Sequence, residues 1–324
     1  MNIYIYTFLI SFILTIILLI FGIPILRRIK FGQSIRGEGP KSHYSKKGTP
    51  TMGGIAIILG TVFSFVYVIF NKIEIDKHDI LLLVMPLIMY SFIGFIDDYL
   101  IVVKRNNKGI KAKSKMFFQI IWASLYYFVF LDKGMSSIIN VFGLNIDLKW
   151  GYGILILLML VSSSNAVNLS DGLDGLASGL MVIAIMAVVV LAVFQKNTSV
   201  LLFSICLLGA LLGFLCYNFN PAKVFMGNTG SLALGATLAN MFILLKMEVL
   251  LIIIGFVFVI ETLSVIIQVI YFKITKGKRI FKMAPLHHHY ELKGYLEVEV
   301  DFIFWFIGII FALFGILLGI WVFI

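Results

Sequence analysis

Ile3 to Arg28 reads IYIYTFLISFILTIILLIFGIPILRR, with no charged side chain before its closing pair of arginines. A helix rises about 1.5 Å per residue, so roughly 20 apolar residues cross a hydrocarbon core about 30 Å thick. This run is long enough. It has no basic segment ahead of it and no small-residue cleavage site, and it is expected to be a retained span. Comparable runs recur along the chain, which is 61% hydrophobic and only 13% charged. That charged share is about half that of a soluble domain. In lipid a helix satisfies its own backbone, so the composition predicts an all-α integral membrane protein.

Apolar length and charged, Pro or Gly breaks place about ten transmembrane helices, near residues 3–26, 52–70, 79–96, 116–131, 152–166, 176–194, 199–216, 230–246, 249–272 and 302–323. Short apolar runs around Gly143 predict a hairpin within 132–149. No soluble domain or internal repeat is visible, so residues 1–324 are expected to form one polytopic transmembrane domain. The connecting loops then alternate between two faces. One receives seven Lys or Arg in 27–47, six in 104–115, Lys223 and six in 273–293, whereas the other receives six in all. By the positive-inside rule the basic face is cytoplasmic, and both termini are extracytoplasmic.

The formal charge of +10 lies in these loops, with no basic helix interleaved with aromatics, which excludes a nucleic-acid partner. Cys206 and Cys216 share one apolar run, so neither a disulfide framework nor a zinc site is expected.

The unusual polar clusters all fall on the basic face. Lys46-Lys47-Gly48-Thr49-Pro50-Thr51-Met52-Gly53-Gly54 leads into the second span. Its glycines, threonine and helix-start amides suit an anion, and equally an ordinary turn. Asp97 and Asp98 end the third span, ahead of Lys104, Arg105, Lys108, Lys111, Lys113 and Lys115. Adjacent carboxylates repel unless a cation compensates them, and Mg²⁺ favours carboxylate and phosphate oxygen. The basic tract would attract phosphates or anchor to anionic membrane lipid.

Asn165, Asn168, Asp171 and Asp174 recur at intervals of three, more polar groups than a helix cap requires. Tyr217 to Ser231 supplies amides, glycines and phenylalanine, which suit a nucleobase or an interfacial turn. His287, His288 and His289 follow Pro285-Leu286 in a long loop, where phosphate contacts are preferred to zinc. Glu261 and Gln268 lie seven apart in the ninth span; Glu261 is either a functional acid at membrane depth or a partner of another helix, and Gln268 is within reach of the site.

Taken in order, GTPTMGG, FIDDY, NAVNLSDGLDGLASG, NPAKVFMG and APLHHHYE closely resemble the phospho-N-acetylmuramoyl-pentapeptide-transferase family, translocase I of bacterial peptidoglycan synthesis. The resemblance spans nearly the whole chain. It implies a multi-pass enzyme of the bacterial cell membrane, usually a homodimer, that requires Mg²⁺. Such an enzyme takes UDP-MurNAc-pentapeptide and undecaprenyl phosphate and gives lipid I and UMP.

Matched by motif, Asp98 is the candidate base or phosphate-organising group and Asp97 its support, roles that are interchangeable, with His289 a third catalytic candidate. Asn165, Asn168, Asp171 and Asp174 match the nucleotide-recognition segment, with Asn218, Phe225 and Gly227 at the uridine. Lys46 or Lys47, together with Lys113 and Lys115, matches basic positions near the phosphates, and Thr51, Gln268, His287 and His288 line the site. Ile101 stands where some members carry a lysine, and Lys104 is the substitute. Asn228 occupies the position of a metal-binding aspartate, with Asp97 as the other metal candidate, so the resemblance implies weakened metal binding and impaired catalysis. The rival reading is a membrane transporter for an anionic solute, which would place polar residues near the bilayer middle.

Overall fold

The computed structural model describes residues 2–29, 46, 48–71, 75–104 and 109–323. Ten long helices and two short ones account for almost all of it: α1 (Asn2–Arg28), α2 (Gly54–Phe70), α3 (Lys77–Lys104), α4 (Ala112–Asp132), α5 (Gly151–Ser170), α6 (Leu176–Phe194), α7 (Thr198–Asn218), α8 (Gly227–Leu244), α9 (Leu250–Ile254), α10 (Phe256–Ile274), α11 (Leu286–Glu291) and α12 (Glu297–Phe323). The expected hairpin forms between α4 and α5, from β1 (Ile138–Val141) and β2 (Leu144–Asp147). Phe142 and Gly143, both at positive φ, close it in a two-residue turn whose twist suits antiparallel strands.

Among the described residues, eight helices are long and apolar enough to cross a membrane: α1, α3, α4, α5, α6, α7, α10 and α12. Two of the ten expected spans fall short of that length or hydropathy. Helix α2 is apolar but has only 17 residues, and α8 is diluted by Asn228, Thr229, Ser231, Thr237 and Asn240. The expected ninth span is also interrupted at Gly255, which separates α9 from α10.

Helix α8 tolerates its polar residues because other helices enclose it; every residue from Thr229 to Leu244 is buried. Small residues permit that enclosure, as in other membrane bundles. A Cβ on Gly94 of α3 would lie 2.1 Å from the Asn228 carbonyl oxygen, and one on Gly235 would lie 2.3 Å from that of Ser163 in α5. Helices α3 and α5 therefore touch the α8 backbone. Asp97 and Asp98 follow one turn after Gly94, and Asn168 one turn after Ser164, so both approach the first turn of α8. Deeper in the bundle the polar groups satisfy one another: Tyr126 donates to Asn240 Oδ1 at 2.6 Å, and Asn240 Nδ2 donates to the Leu82 carbonyl at 2.9 Å.

Candidate functional site

Asp97 and Asp98 are both 3% exposed, yet helical geometry turns neighbouring side chains in different directions. Asp98 meets α8. The Asn228 amide donates to its Oδ1 at 3.0 Å, while the Thr229 amide and hydroxyl donate to its Oδ2 at 2.9 and 2.7 Å. A carboxylate at a helix N-terminus satisfies otherwise unpaired amides and meets the positive end of the dipole. Asp97 meets α4 instead, accepting from Lys115 Nζ at 2.5 Å and from the Ile110 amide at 2.6 Å. Thus the expected metal candidate Asp97 already has a cation, and Asp98 is held by three neutral donors.

Asp171 has neither. It caps the end of α5, keeps a partly accessible surface and makes no hydrogen bond among the described residues. Burial, then the negative charges of Asp98 and Asp174, push its carboxyl up to about 7. On the same side of α5, Asn168 Nδ2 donates to Asn228 Oδ1 at 2.6 Å and to Ser231 Oγ at 2.8 Å. Among the described residues no three His, Cys, Asp or Glu side chains form a metal cage. Mg²⁺ rarely needs one, since it is commonly held by one or two carboxylates with phosphate and water. Asp171 fits that pattern, because its repulsion from Asp98 and Asp174 is what a cation would relieve.

A second group of charges surrounds Lys46. Its ammonium lies 2.6 Å from Asp174 Oδ1 and 2.7 Å from the Glu297 carboxylate. Burial disfavours the charge on Lys46, but Glu297 and Asp174 outweigh it and hold its pKa above the ordinary value. Asp174 Oδ2 also accepts from the Ala222 amide at 2.9 Å, and Asn220 Nδ2 donates to Glu297 at 2.8 Å. Lys46 therefore bridges two carboxylates.

The remaining candidates divide between the centre and its supports. The Phe225 amide donates to the Pro50 carbonyl at 2.8 Å, and Gly53 and Gly54 donate to the carbonyls of Phe225 and Met226. These bonds clamp the first and fourth sequence clusters together, with Thr51 buried between them. A Cβ on Gly227 would lie 2.6 Å from Asp98 Oδ2 and 2.7 Å from Thr51 Oγ1, so these three residues converge. Lys115 and Asn165 line a cavity of about 220 Å³ with Ile110, Ala112, Met116 and Gln119. Lys104 and Lys113 are exposed, and Lys47 lies outside the described residues.

His287 is buried against α10, its amide and Nδ1 lying 3.1 and 3.2 Å from the Glu261 carboxylate. Its Nε2 has no hydrogen-bond partner among the described residues and abuts Gly172, beside Asp171. Glu261 thus pairs with a loop helix. His288 Nδ1 lies 2.7 Å from Glu291.

Three candidates are absorbed by local structure. His289 Nδ1 accepts from the Lys282 amide at 3.0 Å and its ring meets Phe281 edge-on; burial, then Lys293 and Lys282, lower its pKa. Gln268 accepts from the amides of Ile280 and Phe281, and so ties down the same loop. Asn218 is buried, bonded to Ser178 and to the Val224 carbonyl, and shapes the turn before α8.

Asn220, Thr229 and Ser231 fell inside the Tyr217 to Ser231 cluster without a role of their own, and sequence reasoning missed Glu297. The last span was expected to start at 302, whereas α12 starts at Glu297. Glu297 and Asp301 stand four apart, on one helix face, and that spacing was the available signal.

Residues 80–246 match the glycosyl transferase family 4, and residues 46–58 match the phospho-N-acetylmuramoyl-pentapeptide-transferase signature 1. The chain is 52% identical over 318 residues to the phospho-N-acetylmuramoyl-pentapeptide-transferase of Bacillus subtilis, covering 98% of each chain. It is 51% identical over 318 residues to that of Halalkalibacterium halodurans, covering 98% of this chain and 97% of the relative. With that of Geobacillus thermodenitrificans the identity is 50% over 315 residues, covering 97% of each. At such identity over nearly its full length, the chain belongs to the phospho-N-acetylmuramoyl-pentapeptide-transferase family.

Proposed function

We propose that this chain transfers phospho-MurNAc-pentapeptide from UDP-MurNAc-pentapeptide to undecaprenyl phosphate, giving lipid I and UMP for peptidoglycan synthesis. It works as one polytopic domain, 1–324, in the bacterial cell membrane and pairs as a homodimer. All ten long helices cross the bilayer, with both termini outside and the site on the cytoplasmic face, a reading supported by the loop charge asymmetry. The observation that carries the assignment is the convergence of Asp98, Asp171, Asn168 and Asn228 at the start of α8, with Lys115 nearby. Both substrates are anionic at the reacting centre, so the chemistry depends chiefly on charge compensation and alignment.

In the reaction an oxygen of the lipid phosphate forms a bond to the β-phosphorus of the UDP-sugar. The bond to the bridging oxygen breaks, and its electron pair leaves on UMP. A lipid phosphate is already largely ionised near neutrality, so direct attack needs no strong base. Lys115 is suited to receive that phosphate, since its cavity combines an ammonium, two side-chain amides and the apolar Ile110 and Met116. Asp97 orients Lys115, and Asp98 orients the first turn of α8.

Mg²⁺ would be held by Asp171 with the side-chain oxygens of Asp98 and Asn228; when bound it neutralises charge on the diphosphate. Asn228 is neutral where the motif expects a carboxylate, so it weakens the ion and slows turnover. Transport is disfavoured because the mid-bundle polar groups Tyr126 and Asn240 are consumed by each other.

The test is UMP release from UDP-MurNAc-pentapeptide on addition of undecaprenyl phosphate and Mg²⁺, run beside uptake of the nucleotide into vesicles. Release that requires the lipid phosphate is expected. Uptake without release would overturn the reading.

A further inference from the structure

Glu297 opens the last helix and shares two partners with Asp174. Lys46 lies within 2.7 Å of both carboxylates. Asn220 Nδ2 is 2.8 Å from Glu297 and 3.5 Å from Asp174. The two partners come from different segments, one before α2 and the other after α7. Shielding is extensive: the side chains of Lys46, Asp174 and Glu297 are 16%, 3% and 11% exposed. Such pairs differ from solvated surface ion pairs, because removing one partner strands the other in a poorly hydrated place. A lysine has a flexible four-carbon stem, so its ammonium stays in one place only when several acceptors fix it.

We propose that Glu297 is a positioning residue for the water-soluble nucleotide-sugar substrate. By holding Lys46 and Asn220 together it keeps Asp174, and the α5–α6 turn that also carries Asp171, in the binding geometry. The inference rests on the transferase reading above. It assigns the effect to the nucleotide substrate because the Lys46 cluster presents ammonium, amide and carboxylate groups, whereas the half-apolar cavity lies at Lys115.

Asp301 supplies an internal control. It is buried one turn further along the same face, and both its oxygens lack a hydrogen-bond partner among the described residues. Its charge interacts with Lys46, Glu297 and Asp174 without a bond to any of them. Asp301→Asn therefore fixes that buried position in a neutral form beside Lys46 and leaves the Glu297 bonds in place.

The experiment measures UMP release by the full chain while each substrate is varied in turn, with thermal unfolding alongside. For Glu297→Gln, KM for UDP-MurNAc-pentapeptide is expected to rise roughly tenfold, the scale of a lost charge-assisted hydrogen bond. KM for undecaprenyl phosphate and kcat should stay within about twofold. Asp301→Asn should change neither KM, and Lys46→Met combined with Glu297→Gln should bind no worse than Lys46→Met alone.

A parallel rise in both KM values, no rise in either, or additive losses in the double variant would overturn the proposal. If Glu297→Gln does not fold, Glu297→Asp carries the same expected split, since it keeps the charge and shortens the reach. Direct calorimetric binding of UDP-MurNAc-pentapeptide reads the effect even where turnover is slow. An unmodified chain that binds this nucleotide but releases no UMP would defeat the transferase reading while leaving the positioning role of Glu297 measurable.

Discussion

Helix α5 connects two polar clusters that the fold treats differently. At its start, Lys246 Nζ lies 3.1 Å from Glu248, donates to the Tyr152 hydroxyl at 2.6 Å and the Ser136 carbonyl at 2.9 Å, and stands 3.9 Å over the Tyr152 ring. Tyr152 in turn donates to Glu248. Nearby, Asp79 pairs with Lys133 and accepts from Ser199. Glu248 and Asp79 each have an ammonium of their own, while the more exposed Asp76 and Asp132 meet His78 and Asp147 accepts from Ser137.

At the other end of α5 the match fails. Asp97 has Lys115, but Asp174 and Glu297 divide Lys46. Asp98 has only neutral donors, and Asp171 and Asp301 have no hydrogen bonds among the described residues. Buried like charges cost free energy, so an excess of carboxylates is retained where a cation or a reacting group uses it. Polar density alone did not distinguish the two ends; charge balance does.

Four substitutions test that contrast, in order of declining effect. Asp171→Asn removes the carboxylate with the least protein support, and kcat for UMP release should fall about a thousandfold, the upper range for losing one electrostatic contributor. Its melting temperature should hardly change; an active Asp171→Asn would break the functional half of the comparison. Asn228→Asp adds a charged oxygen next to the same group, so Mg²⁺-dependent release should rise about tenfold or more. No rise would mean that the neutral amide is not limiting.

Lys246→Met acts at the balanced end. It strands Glu248 and should cost on the order of 2 kcal/mol of stability, read as a lower unfolding midpoint in detergent. KM and kcat should stay at the unmodified values, and a selective loss of turnover would contradict a purely structural role. Asp301→Asn has the smallest expected effect, a shift of less than about 1 kcal/mol, because it exchanges one unpaired buried polar group for another of the same shape. A midpoint lowered by more than that would show that Asp301 is compensated after all.

Much of the bundle was legible because membrane spans are written in length and hydropathy, which neighbours do not alter. The hairpin around Gly143 was legible for a similar local reason. Helix α8 was placed correctly, but nothing in its own residues showed that protein on all sides, and not lipid, would surround it. The break at Gly255 was missed because a glycine among apolar residues also suits a continuous helix. The motifs named candidate residues, and only the structure shows their partners. Lys46 meets two carboxylates, Asn218, Gln268 and His289 bond to nearby turns and loops, and Glu297 lies beyond the expected start of its helix.

By itself the sequence determined that this protein lives in a bilayer and which polar segments are too costly to be idle there. Only the tertiary structure decided which carboxylate meets which ammonium, because Asp97 and Asp98 are chemically identical until α4 and α8 arrive on different sides of α3. Hydropathy belongs to each residue, whereas charge compensation belongs to pairs brought together by packing.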